Sequence, residues 1–143
     1  MFVVGGESLI DLISKPVAAD GTRELVAKAG GSPMNCAIAL ARLGGESGFL
    51  CPFSTDSFGD FILAPLNAAG VEVLLKARVR EPSSLAVVTD DGKGNPRYAF
   101  YREADRAFTR DGLIAALPAQ IELFQIGGFA GLVGEGGDIA DEL

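Results

Sequence analysis

Short apolar runs alternate with stretches of helical period along this chain, and glycines punctuate most of the transitions. Residues 2–4 form an apolar run that breaks at Gly5-Gly6, the pattern of a buried strand ending in a turn. Residues 9–13 continue as extended chain, Asp20-Gly21 supplies a hairpin-like turn, and residues 25–29 return as a second strand. Ser32 followed by Pro33 reads as a helix start: the hydroxyl can accept from the first unbonded amides, and proline at the first helical position gives up no bond. Met34, Ala37, Ile38 and Ala41 then share one face, and Gly44-Gly45 supply the left-handed stop. Residues 47–51 read as a strand.

A second helix is predicted over 59–69, because Phe58, Ile62, Leu66 and Ala69 share a face and Gly70 ends the pattern. Pro65 removes the bond to the Phe61 carbonyl and predicts a kink, at a cost of about 3 kcal/mol if no neighbour compensates. Residues 71–75 follow as a strand. Residues 84–89 and 97–102 are predicted to pair as an antiparallel hairpin across the turn-rich Asp90-Asp91-Gly92-Lys93-Gly94-Asn95-Pro96. Asp111 is placed to cap a short helix through Leu117, and residues 121–126 form a last strand ending at Gly127-Gly128, ahead of a Gly-rich acidic tail.

Strand, helix, strand, helix, strand is the rhythm of an α/β fold with a parallel sheet and right-handed crossovers, from which the hairpins must separate as a small sheet of their own. At 143 residues the chain suits one domain or a piece of one. Hydrophobic residues at 48% and charged residues at 22% argue against wholesale disorder.

Charge and composition remove whole classes of function. Nineteen acidic against twelve basic residues give a net charge of −7, so a phosphate backbone is repelled and nucleic acid is not an expected partner. The start of the chain is apolar but lacks a basic leader, and Glu7 and Asp11 interrupt any membrane-spanning run; a cytoplasmic protein with no membrane partner is expected. With no histidine and only Cys36 and Cys51, the usual zinc sites and Ser/His or Cys/His nucleophiles are out of reach; both cysteines read as small buried thiols in a reducing compartment. No Walker loop is present, and Gly5-Gly6-Glu7 lacks the spacing of a dinucleotide fingerprint.

Asp11, Gly30-Gly31 and Asn35 converge on the C-terminal ends of the early strands, where open α/β sheets place their ligands. A carboxylate accepts from two adjacent hydroxyls, an Asn side chain both donates and accepts, and a glycine pair lets backbone approach a ligand closely. Together these make a set suited to a polyol. Each also has a purely structural use: Asp11 in a turn, Asn35 as a solvated first-turn residue, Gly30-Gly31 as a strand-to-helix corner.

The run Ala29-Gly30-Gly31-Ser32-Pro33-Met34-Asn35-Cys36-Ala37, then Leu43-Gly44 and Ser54-Thr55-Asp56-Ser57-Phe58-Gly59-Asp60, resembles the N-terminal signature of the ribokinase-like (PfkB-type) carbohydrate kinases. The opening Gly5-Gly6-Glu7-Ser8-Leu9-Ile10-Asp11 resembles that family's first strand and turn. The resemblance implies the N-terminal half of a ribokinase-like fold: a parallel sheet flanked by helices, with a small antiparallel β lid contributed by about 12–28 and 84–102. It implies that Asp11 and Asn35 bind sugar hydroxyls, that Gly30 and Gly31 contact sugar and hinge the lid, and that a lid pair forms a homodimer. Phe100-Tyr101-Arg102 lies where relatives place lid side chains over the sugar, and Arg102 matches an arginine that 2-keto-3-deoxygluconate kinases aim at a substrate carboxylate; an exposed edge-strand arginine is the other reading. Glu103-Ala104-Asp105 is closer to fructokinase-like sequences, which points to a neutral ketose such as fructose.

Phosphoryl transfer also needs an anion hole for the γ-phosphate, metal-assisted charge neutralisation and a base. The resemblance places these in a Gly-Ala-Gly-Asp type motif farther along than this chain extends. ATP and Mg2+ are therefore expected of the full-length enzyme, while no catalytic residue is assigned here and the chain alone is expected to be inactive. Gly134-Glu135-Gly136-Gly137-Asp138 imitates that motif but reads better as a loop capping a helix. The rival expectation is a non-catalytic carbohydrate-binding or regulatory module.

Overall fold

A computed structural model describes residues 1–128, and the tail with Asp138 lies outside the described residues. Four strands form a wholly parallel sheet in the order β5 (Glu72–Val73), β4 (Ser47–Leu50), β1 (Phe2–Gly5) and β8 (Leu123–Ile126). Neighbouring residues of β1 face opposite ways, as a pleated strand requires. Val4 joins Phe49 in the larger core beneath α1 (Ser32–Arg42) and α2 (Ser57–Ala68). Val3 joins Leu50, Leu74 and Leu113 of α3 (Arg110–Ala116) on the other side. A short apolar strand buried on both faces is what a helix-covered parallel sheet demands.

The hairpins do separate into a second four-stranded sheet, in the order β3 (Leu25–Gly30), β2 (Leu9–Ser14), β6 (Leu85–Asp90) and β7 (Pro96–Tyr101). It is mixed, not wholly antiparallel: β2–β3 and β6–β7 are antiparallel, and the two are joined by a parallel β2–β6 pairing. Ile10, Leu12, Ala27, Ala29 and Leu85, all on one face, pack into the larger core.

Local capping departs from the sequence expectations in ways the backbone explains. Ser32 is the first helical residue of α1 and not its cap; Gly31 holds the cap position at φ 120 with no side-chain bond, and Pro33 sits in the first turn. The apolar face of α1 is as expected, with Met34, Ala37 and Ile38 buried. α2 starts two residues early because Asp56 caps it, accepting from the Gly59 amide at 2.8 Å. It continues through Pro65, whose lost bond concerns Phe61 on the exposed side of the helix. Thr109, not Asp111, caps α3 by accepting from the Gly112 amide at 3.1 Å.

Candidate functional site

β1 has β4 on one side and β8 on the other, although β8 comes last in the chain. The chain leaves β1 toward the lid strands and α1, and β8 enters on the side of β1 away from β4, so strands that are neighbours in space are far apart in sequence here; open α/β sheets use the carboxyl ends of such strands for ligands. Gly5-Gly6 and Gly127-Gly128 end these two strands, and α1 begins beside them.

Gly31 is fixed as glycine twice over. Its φ of 120 disfavours any side chain, and a β-carbon there would come within 2.6 Å of the Glu7 carbonyl oxygen. Its own carbonyl accepts from the Asn35 amide at 2.9 Å, which places Asn35, exposed, in the first turn of α1. Gly30 packs against the Asp11 carboxylate: a β-carbon on Gly30 would stand 2.5 Å from Oδ2. Asp11, Gly30, Gly31 and Asn35 thus follow one another around the junction of β2, β3 and α1. Partial burial raises the Asp11 carboxyl above its ordinary value.

Cross-strand register assigns the lid residues to faces. Lys28, Asp11, Ala86 and Phe100 form one row across all four strands, and paired residues share a face. Phe100 therefore lies on the same face as Asp11, with its ring stacked on Tyr98 at 5.8 Å between centroids. The next row outward, Val26, Ile13, Val88 and Tyr98, is apolar throughout.

Arg102 stands one residue beyond β7 and is tied to the base of the lid. Its Nε and Nη2 donate to Asp105 Oδ2 at 2.8 and 2.5 Å. Asp105 sits in the 3-10 turn Ala104–Arg106, and its side chain is 1% exposed against 17% for Arg102. The Ser84 hydroxyl donates to Asp105 Oδ1 and accepts from the Glu103 amide at 3.0 Å.

Three further residues of this region escaped the sequence reading. Asp56, besides capping α2, accepts from the Ser83 amide at 2.8 Å and the Ser83 hydroxyl at 2.7 Å, so it pins the entry of β6 to the core. Burial alone would raise its carboxyl, but bonds from Ser83, Gly59 and Ser54 outweigh that and lower it to about 2. Glu7 is buried with its carboxylate against Gly128, whose φ is 70. Asp105 is buried at the base of the lid, between Arg102 and Ser84. A cap signal was present for Asp56, an aspartate just before an apolar period; for Glu7 and Asp105 the partners lie far off in sequence and left no local signal.

Cys51 is buried with its thiol 3.4 Å from the Ser8 hydroxyl, and burial pushes its pKa up to about 12. Both cysteines are free, Cys51 buried and Cys36 half-buried. Among the described residues no group of three His, Cys, Asp or Glu side chains is fit to hold a metal ion, and no helix is long and apolar enough to cross a membrane.

Comparison with known proteins closes the question of family. Residues 1–136 match the pfkB family carbohydrate kinase. Fructokinase-1 of Oryza sativa subsp. japonica is 36% identical over 130 residues, which are 85% of this chain and 39% of that protein. Fructokinase of Solanum tuberosum is 31% identical over 138 residues, 93% of this chain and 43% of that protein. The crystal structure of fructokinase from Xylella fastidiosa superposes with a TM-score of 0.86 at 30% identity, covering 99% of this chain and 46% of the other. The chain thus spans less than half the length of these relatives, and it has the parallel sheet and lid of a ribokinase-like fold. On this evidence the chain belongs to the pfkB family of carbohydrate kinases.

Proposed function

We propose that this chain supplies the sugar-binding part of an ATP-dependent kinase that phosphorylates a hydroxyl of a neutral ketose such as fructose. The observation that carries the reading is the Asp11 carboxylate, partly buried and packed on Gly30 where β2 and β3 meet the glycine-bounded start of α1. Asp11 accepts from two sugar hydroxyls, Asn35 donates and accepts at a third, and Gly30-Gly31 let the ring approach backbone. Phe100 covers the apolar side of the sugar from the lid, and closure of that lid excludes water from the transfer. Arg102 closes the same edge from its place beside Asp105.

ATP and Mg2+ are partners of the whole kinase: the described residues do not make a fit site for either, and no step is routed through them. The similarity to fructokinases, which are more than twice as long, supports the activity for the whole protein. The chain alone holds sugar without turning it over. The lid's outer apolar row supports a homodimer formed lid to lid, and the −7 charge is in keeping with a cytoplasmic protein that binds neither nucleic acid nor membrane.

Thermal denaturation with a coupled kinase assay tests this. Fructose at 100 times its Kd is expected to stabilise the chain by about 2.7 kcal/mol, and ATP to add nothing. Turnover of fructose by the chain alone at an enzyme-like rate would show that the catalytic groups are already here. Absence of any fructose-dependent shift would remove the sugar site.

A further inference from the structure

Arg102, just past the end of β7, is already paired at the base of the lid. The guanidinium directs two of its donors at Asp105, and that carboxylate is buried behind it, fixed on its other oxygen by Ser84. Charged side chains on the face that carries Asp11 are few among the described residues. Lys28 stands directly opposite Asp11 on β3, exposed, and Arg102 stands with Asp105 at the base of the hairpin. Asp90, at the far end of β6, is on the same face and exposed, so Asp11, Asp90 and Asp105 set three carboxylates against the two cations, and Lys28 is solvated and screened. A ligand carboxylate entering here would lose its water and meet no uncompensated positive charge, while Asp11 would repel it.

Resting on the reading of this rim as a sugar site, we infer that Asp105 is a specificity-determining residue: it compensates Arg102 within the lid base, so that a neutral sugar is accepted and a sugar acid is rejected. Asp105 touches no sugar itself. It acts by holding Arg102, and Ser84 holds Asp105. The alternative employment of Arg102, as an anchor for a substrate carboxylate, would set a second carboxylate against a guanidinium whose charge Asp105 already balances at close range.

The test is calorimetric titration of the 143-residue chain with D-fructose and with 2-keto-3-deoxygluconate. The wild-type chain is expected to bind the acid at least about tenfold more weakly than fructose. In Asp105→Asn the amide keeps the shape but not the charge; binding of the acid is expected to tighten about tenfold, with fructose affinity within about threefold. The double variant Asp105→Asn with Arg102→Gln is expected to lose that gain, which a merely structural role for Asp105 would not produce. Near-UV circular dichroism reports whether each variant is native. Equal wild-type affinity for the two sugars overturns the assignment without need of any variant, and so does an Asp105→Asn chain that is native and still rejects the acid. Failure of the wild-type chain to bind either sugar is a different result: it overturns the sugar site itself, and the specificity with it.

Discussion

The parallel sheet and the lid sheet draw on the same kinds of residue and end in opposite situations. Val3 and Val4, or Phe49 and Leu50, are buried on both sides of the first sheet. In the second, Ile10, Leu12 and Leu85 turn into the core while the row Val26, Ile13, Val88 and Tyr98 turns outward, with Tyr98 56% exposed and all of β7 at the surface. A residue enclosed on both sides answers to packing, and a change there is read as stability. A residue on the open face answers to whatever approaches it, and a change there is read as binding.

The junction between the sheets should give the largest effects. Gly31→Ala forces a β-carbon against the Glu7 carbonyl at a positive φ and is expected to lower stability by about 3 kcal/mol in urea denaturation. A stability within experimental error of wild type would mean that the corner is not the strained point described. Asp56→Ala removes both the cap of α2 and the tie to Ser83, and about 1–2 kcal/mol should go with it. Because the folded-state carboxyl is lowered to about 2, its contribution is complete above the ordinary aspartate pKa and disappears as pH falls through about 2. Wild type and variant should therefore converge in acid; a constant gap down to that pH would contradict the bonding assigned.

The open face should behave otherwise. Tyr98→Lys is expected to leave stability within about 0.5 kcal/mol and to convert a dimer to a monomer by light scattering. A large loss of stability would place Tyr98 in a packed interior instead. The smallest effect concerns the two thiols around the enclosed core, Cys51 just past β4 and Cys36 in α1. Cys51, buried and held near pKa 12, should not react with a thiol reagent in the native chain at neutral pH, whereas half-buried Cys36 reacts slowly. Two equivalents of rapid reaction would show that this interior is open.

Periodicity sufficed for the enclosed regions. The faces of α1 and α2 and the strands near residues 2, 47, 85 and 97 were legible because burial on one side dictates which positions are apolar. β5 is two residues long against the predicted 71–75, pairing with only Gly48 and Phe49 of β4 at the edge of the sheet. Caps were misplaced where several cap-forming residues stand together, as at Ser32 and Asp111, because side-chain chemistry alone does not choose the residue whose backbone turns. The parallel β2–β6 pairing could not be read at all. It joins strands 75 residues apart by register, Ile10 with Leu85, and leaves no local mark. For the same reason Asp11 and Gly30 were found as candidates while the buried group behind Arg102 was not.

Calorimetric titration of fructose into the wild-type chain and into Asp11→Ala tests the central claim most directly. Burial raises the Asp11 pKa, so the folded chain retains this proton more tightly than the unfolded one, and the charged carboxylate opposes folding once pH exceeds its raised value. Its removal should therefore cost no stability on electrostatic grounds at neutral pH. The account predicts saturable binding to wild type and at least about a hundredfold weaker binding to an Asp11→Ala chain that melts no lower, since a carboxylate bonded to two hydroxyls is lost. Unchanged affinity in the variant would contradict the account.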